Sequence, residues 1–250
     1  MSYRRTRRTF LTDFGRTSVG LVVLGGGLAA CAQTGDPVVD QPTSGPSTPG
    51  TATGSSNSGV ATVDLGFVAA YVIMRAGEAA LIDTGTSDSE DAIEEVLQGL
   101  GLGWGDVGHV ILTHSHGDHV GSLRAVAEAA PEAALYGGEA DLARMSAPRE
   151  IMAVGDGDTV FDLQIINTPG HTPGHISVFD AQASQLFTGD ALTGDDGSVA
   201  GPNPEFTPDM DSGRESVRKL ALLEPRAISV FHGFPVASGA ADLTALAESL

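Results

Sequence analysis

The sequence predicts an α/β fold of two similar halves, each a sheet with helices on its outer face. Three observations carry this. Short apolar runs and helix-period segments follow one another as strands, helix, strand, helix, then strands, helix, strand. Turn and stop residues punctuate them, as in Asp83-Thr84-Gly85, Gly99 and Gly101, Pro131 and Pro225. Histidines and aspartates gather just after the strand-like runs, where α/β folds place their chemistry. No sequence repeat marks the two halves.

In order, Phe67–Met74 and Ala79–Ile82 form a hairpin about Ala76-Gly77-Glu78. A capping box of Ser87 with Glu90 opens a helix whose apolar face is Ile93, Val96, Leu97 and Leu100. Val110-Ile111-Leu112 is a short buried strand. Leu123, Val126, Ala127 and Ala130 mark a second helix, which Pro131 stops. Ala133–Tyr136 is a strand and Glu139–Met145 a short helix. Phe161–Asn167, His175–Phe179 and Gln185–Thr188 are three strands. Met210, Val217, Leu220 and Ala221 give a helix opened by Asp209; Ala227–Phe231 is a last buried strand and Leu243–Leu250 a terminal helix.

The chain has 250 residues, and its beginning does not read as globular. Thr6-Arg7-Arg8-Thr9-Phe10-Leu11 resembles a twin-arginine export signal, and residues 1–30 read as a signal peptide. The apolar stretch Val19–Ala30 is too short to span a bilayer. It ends in Leu28-Ala29-Ala30-Cys31, which looks like a bacterial lipobox, with Cys31 the residue that would be lipidated. Cys31 is the single cysteine, so no disulfide forms within the chain. Residues 31–58 add a Gly/Ser/Thr/Pro linker with too little apolar surface to offset its ordering entropy. Residues 59–250 are the expected domain, about 190 residues, enough for a real core. The expectation is a protein exported and lipid-anchored outside the cytoplasmic membrane.

The formal net charge is −19 and the only lysine is Lys219. Such a surface repels nucleic acid, which is bound through Lys and Arg. A small-molecule substrate is the expected partner, and the sequence leaves the oligomeric state open.

The run Thr113-His114-Ser115-His116-Gly117-Asp118-His119 places four metal-binding side chains within six residues. Packing alone does not account for so many buried polar groups. Imidazole and carboxylate are the ligands zinc and iron accept without thiolate. A His-x-His pair leaving a strand points two imidazoles to one position, and Asp118 and His119 can serve a second. His171, Asp190 and His232 lie farther on. His175 begins a strand and is expected to support rather than chelate. His109 is expected to be structural, Asp195 and Asp196 to lie in a solvated loop, and Arg144, Arg149 and Arg214 to make surface ion pairs.

Five motifs occur in order: Leu81-Ile82-Asp83-Thr84-Gly85, the His-x-His-x-Asp-His run, Thr168-Pro169-Gly170-His171-Thr172-Pro173-Gly174-His175, Phe187-Thr188-Gly189-Asp190 and His232-Gly233. Through them residues 60–235 resemble a metallo-β-lactamase-fold hydrolase. The resemblance implies a four-layer αββα sandwich and two divalent metal ions, zinc by preference. His114, His116 and His171 would hold one metal, and Asp118, His119 and His232 the other, with Asp190 between them. Asp83 would brace the histidine loop. A hydroxide shared by the metals would attack an ester, thioester or lactone carbonyl, with Asp118 orienting it and passing on its proton.

The last motif is commonly Gly-His-Gly, whereas Phe231 precedes His232 here, which suggests a crowded pocket. Asp190 argues against a true β-lactamase, which lacks that aspartate. Glyoxalase II shares the ligands but adds a C-terminal helical domain with basic groups, which the 18 residues after His232 do not supply. Acyl-homoserine lactonases usually offer a pocket tyrosine, and none follows Asp190. Persulfide dioxygenases resemble the pattern too but use one Fe2+, and a lipid-tethered binding protein without catalysis is a further alternative. Pocket walls are expected from residues 67–71, 138–155 and 191–208, with Met145, Met152 and Phe206 making them partly apolar.

Overall fold

The computed structural model describes residues 58–250. The expected signal peptide, Cys31 and most of the linker lie outside these residues. The first strand starts at Ser58, the residue with which the linker was expected to end.

The first half is built on a six-stranded sheet. Its strands are β1 (Ser58–Asp64), β2 (Ala69–Arg75), β3 (Glu78–Ile82), β4 (Val107–Leu112), β5 (Ala134–Gly138) and β6 (Ile151–Val154), adjacent in that order. β1, β2 and β3 pair antiparallel, and β3 to β6 run parallel. Between β2 and β3, Ala76 and Gly77 both have positive φ (51° and 90°), the primed turn whose twist suits a two-residue hairpin. The parallel strands need crossovers, supplied by helices α1 (Glu90–Gly99) and α2 (Leu123–Ala129).

α1 does not open on the expected capping box. Ser89 takes the N-cap position without a side-chain cap bond. Glu90 faces Ser122 Oγ at 2.8 Å instead, and Ser89 N–H donates to the same oxygen at 2.7 Å, tying the start of α1 to the start of α2. Ile93 and Leu97 are buried, as the helical period requires.

The second half comprises β7 (Thr159–Val160), β8 (Leu163–Asn167), β9 (Ile176–Asp180), β10 (Gln185–Phe187), a separate hairpin of β11 (Thr193–Asp195) and β12 (Ser198–Ala200), helix α3 (Met210–Ala221), β13 (Ala227–Ser229) and helix α4 (Ala240–Ser249). Its sheet runs β13-β10-β9-β8-β7. Asp209 caps α3, its carboxylate accepting from Ser212 N–H at 3.1 Å. Asp195 and Asp196 belong to the β11–β12 hairpin and its turn rather than to a loop, with positive φ at Asp196 and Gly197.

Strand alternation sorts the core into layers. Ala70 and Val72 of β2 and Ala79 and Leu81 of β3 face α1 and α2. Tyr71, Ile73, Ala80, Ile82 and Ile111 face the other way, onto Leu163, Ile165, Ile176, Val178 and Phe187 of the second sheet. The outer face of that sheet, with Phe179, Leu186 and Ile228, packs on Val217 and Leu220 of α3 and Leu243 of α4. The order is helices, sheet, sheet, helices, the four-layer sandwich the sequence led us to expect. Two main-chain bonds stitch the sheets directly: Ile176 N–H to Thr113 O at 2.9 Å and Ala69 N–H to Phe231 O at 2.8 Å. Both acceptors immediately precede a histidine of the site.

Candidate metal centre

Seven polar side chains converge at the edge where β4, β8, β10 and β13 end. His114, His116, Asp118 and His119 leave β4; His171 lies between β8 and β9; Asp190 follows β10 in a single turn, Gly189–Ala191; His232 follows β13. The nitrogens of the first cluster are mutually close: His114 Nε2 is 3.1 Å from His116 Nδ1 and 3.1 Å from His171 Nε2, and the last two are 2.8 Å apart. In the second, His119 Nε2 lies 3.2 Å from His232 Nε2, while Asp118 Oδ2 lies 3.4 Å from His232 Nε2 and 4.0 Å from His119 Nε2. Asp190 reaches toward both, with Oδ1 3.1 Å from His119 Nε2 and Oδ2 3.2 Å from His171 Nε2.

Hydrogen bonding on the far side of each ring assigns the tautomers. Asp83 Oδ2 takes the Nδ1 proton of His119 at 2.6 Å. The same carboxylate accepts from Thr113 N–H at 2.7 Å and Thr113 Oγ at 2.6 Å, which leaves that hydroxyl to accept from His114 Nδ1 at 3.1 Å. Phe67 O accepts from His232 Nδ1 at 2.8 Å. The Nε2 lone pair of His114 therefore points into the first cluster, and those of His119 and His232 into the second. Lone pairs held about 3 Å apart are repulsive unless a cation or proton sits among them. Tetrahedral zinc with nitrogen bonds of 2.0–2.1 Å separates its ligands by about 3.3 Å, close to the spacing of these clusters. Asp190 Oδ1 is buried and makes no hydrogen bond, a further coordination valence left open. The residues fit divalent metal.

The electrostatics agree. Burial and the neighbouring imidazoles push the His114 pKa well down, and burial lowers that of His171. Both therefore favour the neutral form a metal needs. Burial also works against a charged His119, but Asp83 and Asp190 outweigh it and raise the group to about 10. The same negative field favours a metal cation there. Contact with His232 Nε2, 3.4 Å away, lowers the Asp118 carboxyl, and for Asp190 the contact with His119 overcomes burial and lowers it also.

Of the supporting residues, Asp83 hydrogen-bonds to Thr113 and His119 of the histidine run; its φ is 62°. His175 is not among the converging groups. Its Nε2 accepts from Asp190 N–H at 2.9 Å, so its Nδ1 donates to Thr168 Oγ at 2.8 Å, and burial lowers its pKa to about 3. Gly189 must be glycine: φ is 52°, and a Cβ would lie 2.5 Å from His175 Nε2. Phe231 does not crowd the pocket. It is fully buried beneath the site, packed edge-on against Tyr71.

One residue escaped the sequence reading. Asp141 is 0% exposed, and its carboxylate accepts from Ser115 N–H and Gly174 N–H, both at 2.9 Å. It ties the His114–His116 loop to the His171 loop. Three other expectations are corrected. The cleft above the clusters is lined by Phe67, Thr193, Asn203 and Phe206 but by nothing from 138–155. Met145 packs on the first core, and Met152 is exposed on β6. Arg149 makes no surface ion pair; its guanidinium caps the carbonyls of Ala127, Ala130 and Ala133.

Residues 63–232 match the family model described as the metallo-beta-lactamase superfamily. A probable metallo-hydrolase, YflN of Bacillus subtilis, is 33% identical over 216 residues, which cover 68% of this chain and 81% of that protein. A hydroxyacylglutathione hydrolase of Synechococcus is 34% identical over 116 residues, but the match spans less than half of either chain, 44% and 45%. Among solved structures, a metallo-beta-lactamase family protein from Thermus thermophilus aligns with a TM-score of 0.62 at 24% identity, over 77% of each chain, and so shares the fold. The chain belongs to the metallo-beta-lactamase superfamily and is a metal-dependent hydrolase.

Proposed function

We propose that the protein is a dinuclear metal hydrolase acting on an ester, thioester or lactone. Asp190 carries the reading, because its carboxylate lies between the clusters: Oδ1 is 3.1 Å from His119 Nε2, and Oδ2 is 3.2 Å from His171 Nε2 and 3.5 Å from His232 Nε2. His114, His116 and His171 would hold one ion and Asp118, His119 and His232 the other, zinc by preference. When bound, such a pair supplies Lewis acidity and brings the pKa of water to about 7.

The chain's own residues then divide the work. Asp118 is partly exposed in the cleft, where its carboxylate can orient the attacking water and take its proton. Water oxygen bonds to the acyl carbon, the bond from that carbon to oxygen or sulfur breaks, and the departing atom receives the proton from Asp118. Asp83 and Phe67 O fix the orientation of the His119 and His232 rings, and His175 holds the backbone of Asp190.

Elemental analysis of the purified protein tests this, with two divalent ions per chain expected alongside turnover of ester, thioester or lactone. A single iron with oxygen uptake on persulfides would replace the reading by dioxygenation, and failure to retain any metal after reconstitution would leave a binding protein.

The twin-arginine pattern and the Leu28-Ala29-Ala30-Cys31 sequence support a site outside the cytoplasmic membrane, tethered by a lipid on Cys31. No helix among the described residues is long and apolar enough to cross a membrane. Cys31→Ser is expected to shift the protein from the membrane to the soluble fraction; unchanged retention would refute the anchor.

A further inference from the structure

The cleft over the two clusters has a volume of about 560 Å³. Beyond the chelating side chains its walls are Phe67, Phe206, Thr193 and Asn203. Phe67 and Phe206 are 63% and 57% exposed, and among the described residues only Leu222 of the large apolar side chains is as open. Both fall on this one cleft, where exposed apolar surface marks a binding site rather than scatter.

Phe67 is fixed in place. Its ring stacks on His232 with centroids 6.1 Å apart and planes 20° apart, and its carbonyl holds the Nδ1 proton of the same histidine. Phe206 stands on a turn closed by its own N–H to Asn203 O at 3.1 Å. Asn203 Oδ1 is occupied by Glu205 N–H at 2.9 Å, which leaves the amide hydrogens of Asn203 as donors on that wall.

The charge pattern is equally specific. Residues 58–250 carry eight Lys and Arg against 29 Asp and Glu. No Lys or Arg among the described residues lines the cleft. Several are committed elsewhere: Arg75 pairs with Asp180 at 2.7 Å, Lys219 with Asp156 at 2.7 Å and Arg214 with Asp211 at 3.0 Å. Ions held by the clusters would serve the reacting carbonyl, so an anionic group elsewhere on the substrate finds no cationic side chain on the cleft wall and faces the acidic surface around it.

We infer that the site selects carbonyl substrates whose non-reacting parts are uncharged, with an apolar acyl chain or ring seated between Phe67 and Phe206 and neutral polar atoms meeting Asn203. This rests on the hydrolase reading above and narrows it, since it sets the substrate apart from the glutathione thioesters that partial relatives are named for.

The test uses the metal-loaded protein and pairs of substrates that share the scissile bond and differ in the charge of the non-reacting part: 4-nitrophenyl hexanoate against the 4-nitrophenyl monoester of adipate, and the hexanoyl thioester of N-acetylcysteamine against that of glutathione. The neutral member is expected to show at least a tenfold higher kcat/KM in a pair that turns over. Phe206→Ala is expected to lower the hexanoate-to-acetate ratio of kcat/KM about tenfold, the size that partial burial of a few methylenes supplies. Calorimetric binding of neutral hexanamide, compared between the parent protein and Phe206→Ala, reads the apolar seat without turnover. Equal or faster hydrolysis of the anionic members, or a hexanoate-to-acetate ratio untouched by Phe206→Ala, overturns the inference. Hexanamide binding that depends on Phe206, with no hydrolysis of any carbonyl substrate, would instead sink the hydrolase reading and leave the neutral apolar seat standing.

Discussion

Asp141 shows how a single buried carboxylate can govern a site it never touches. Its two oxygens satisfy two main-chain donors, one between His114 and His116 and one in the loop that carries His171. Gly174 is interlocked with it, since a Cβ at that position would come within 2.4 Å of Asp141 N. In Asp141→Asn the amide can accept from one N–H but turns its own NH2 toward the other. A buried donor left unpaired costs about 1–3 kcal/mol. The expected outcome is a lower melting temperature together with loss of metal from the three-histidine cluster, measured as metal per chain after dialysis. Parent-level metal content in a folded variant would refute the positioning role. The histidines themselves were legible because four ligands in six residues have few other uses, whereas Asp141 was not. Its partners are backbone amides, and an acid that binds backbone leaves no pattern of side-chain types to read.

At the scale of elements, the most legible strands include two buried on both faces. β4, with Val110, Ile111 and Leu112, and β9, with Ile176 and Val178, sit between layers and so read as continuous apolar runs. β1 was missed because it is an edge strand of small and polar residues, its Val60 exposed, and it takes its conformation from pairing with β2. β6, Ile151–Val154, was missed although its residues are apolar, because it is a four-residue edge strand with Met152 exposed, held by β5. The β11–β12 hairpin has no apolar alternation, and its signal was the Asp196-Gly197 turn, which favours positive φ at both positions.

The end of α2 was placed correctly by Pro131, but what satisfies its last carbonyls came from far along the chain. Arg149 donates to Ala127 O at 2.6 Å, Ala130 O at 2.9 Å and Ala133 O at 3.1 Å, a cationic cap at the negative end of the helix. Arg149→Ala strips these carbonyls of their donor and is expected to destabilise the fold by about 1–3 kcal/mol in denaturant unfolding. Metal content should stay at the parent level, because the cap lies on the helical layer and not at the strand ends. An unfolding midpoint unchanged from the parent would show that water replaces the arginine at no cost.

For the whole molecule, the decisive feature is how the clusters are divided between the halves. His114, His116, Asp118 and His119 come from the first half; His171, Asp190 and His232 come from the second. Each cluster draws on both, so a bound ion would cross-link the two sheets at the edge where Ile176 N–H and Ala69 N–H already join them. An ion that binds the folded chain and not the unfolded one stabilises it by about 4 kcal/mol at a free concentration a thousandfold above its Kd. Chelation should therefore lower the melting temperature by several degrees, and re-adding zinc should restore it with a dependence on the logarithm of free metal. The three apolar layers involve none of the ligands, so the chelated protein should keep its far-ultraviolet circular dichroism below the transition. A melting temperature indifferent to chelator, in protein shown by elemental analysis to have lost its metal, would mean that the hydrophobic layers and the two main-chain stitches alone hold the halves together.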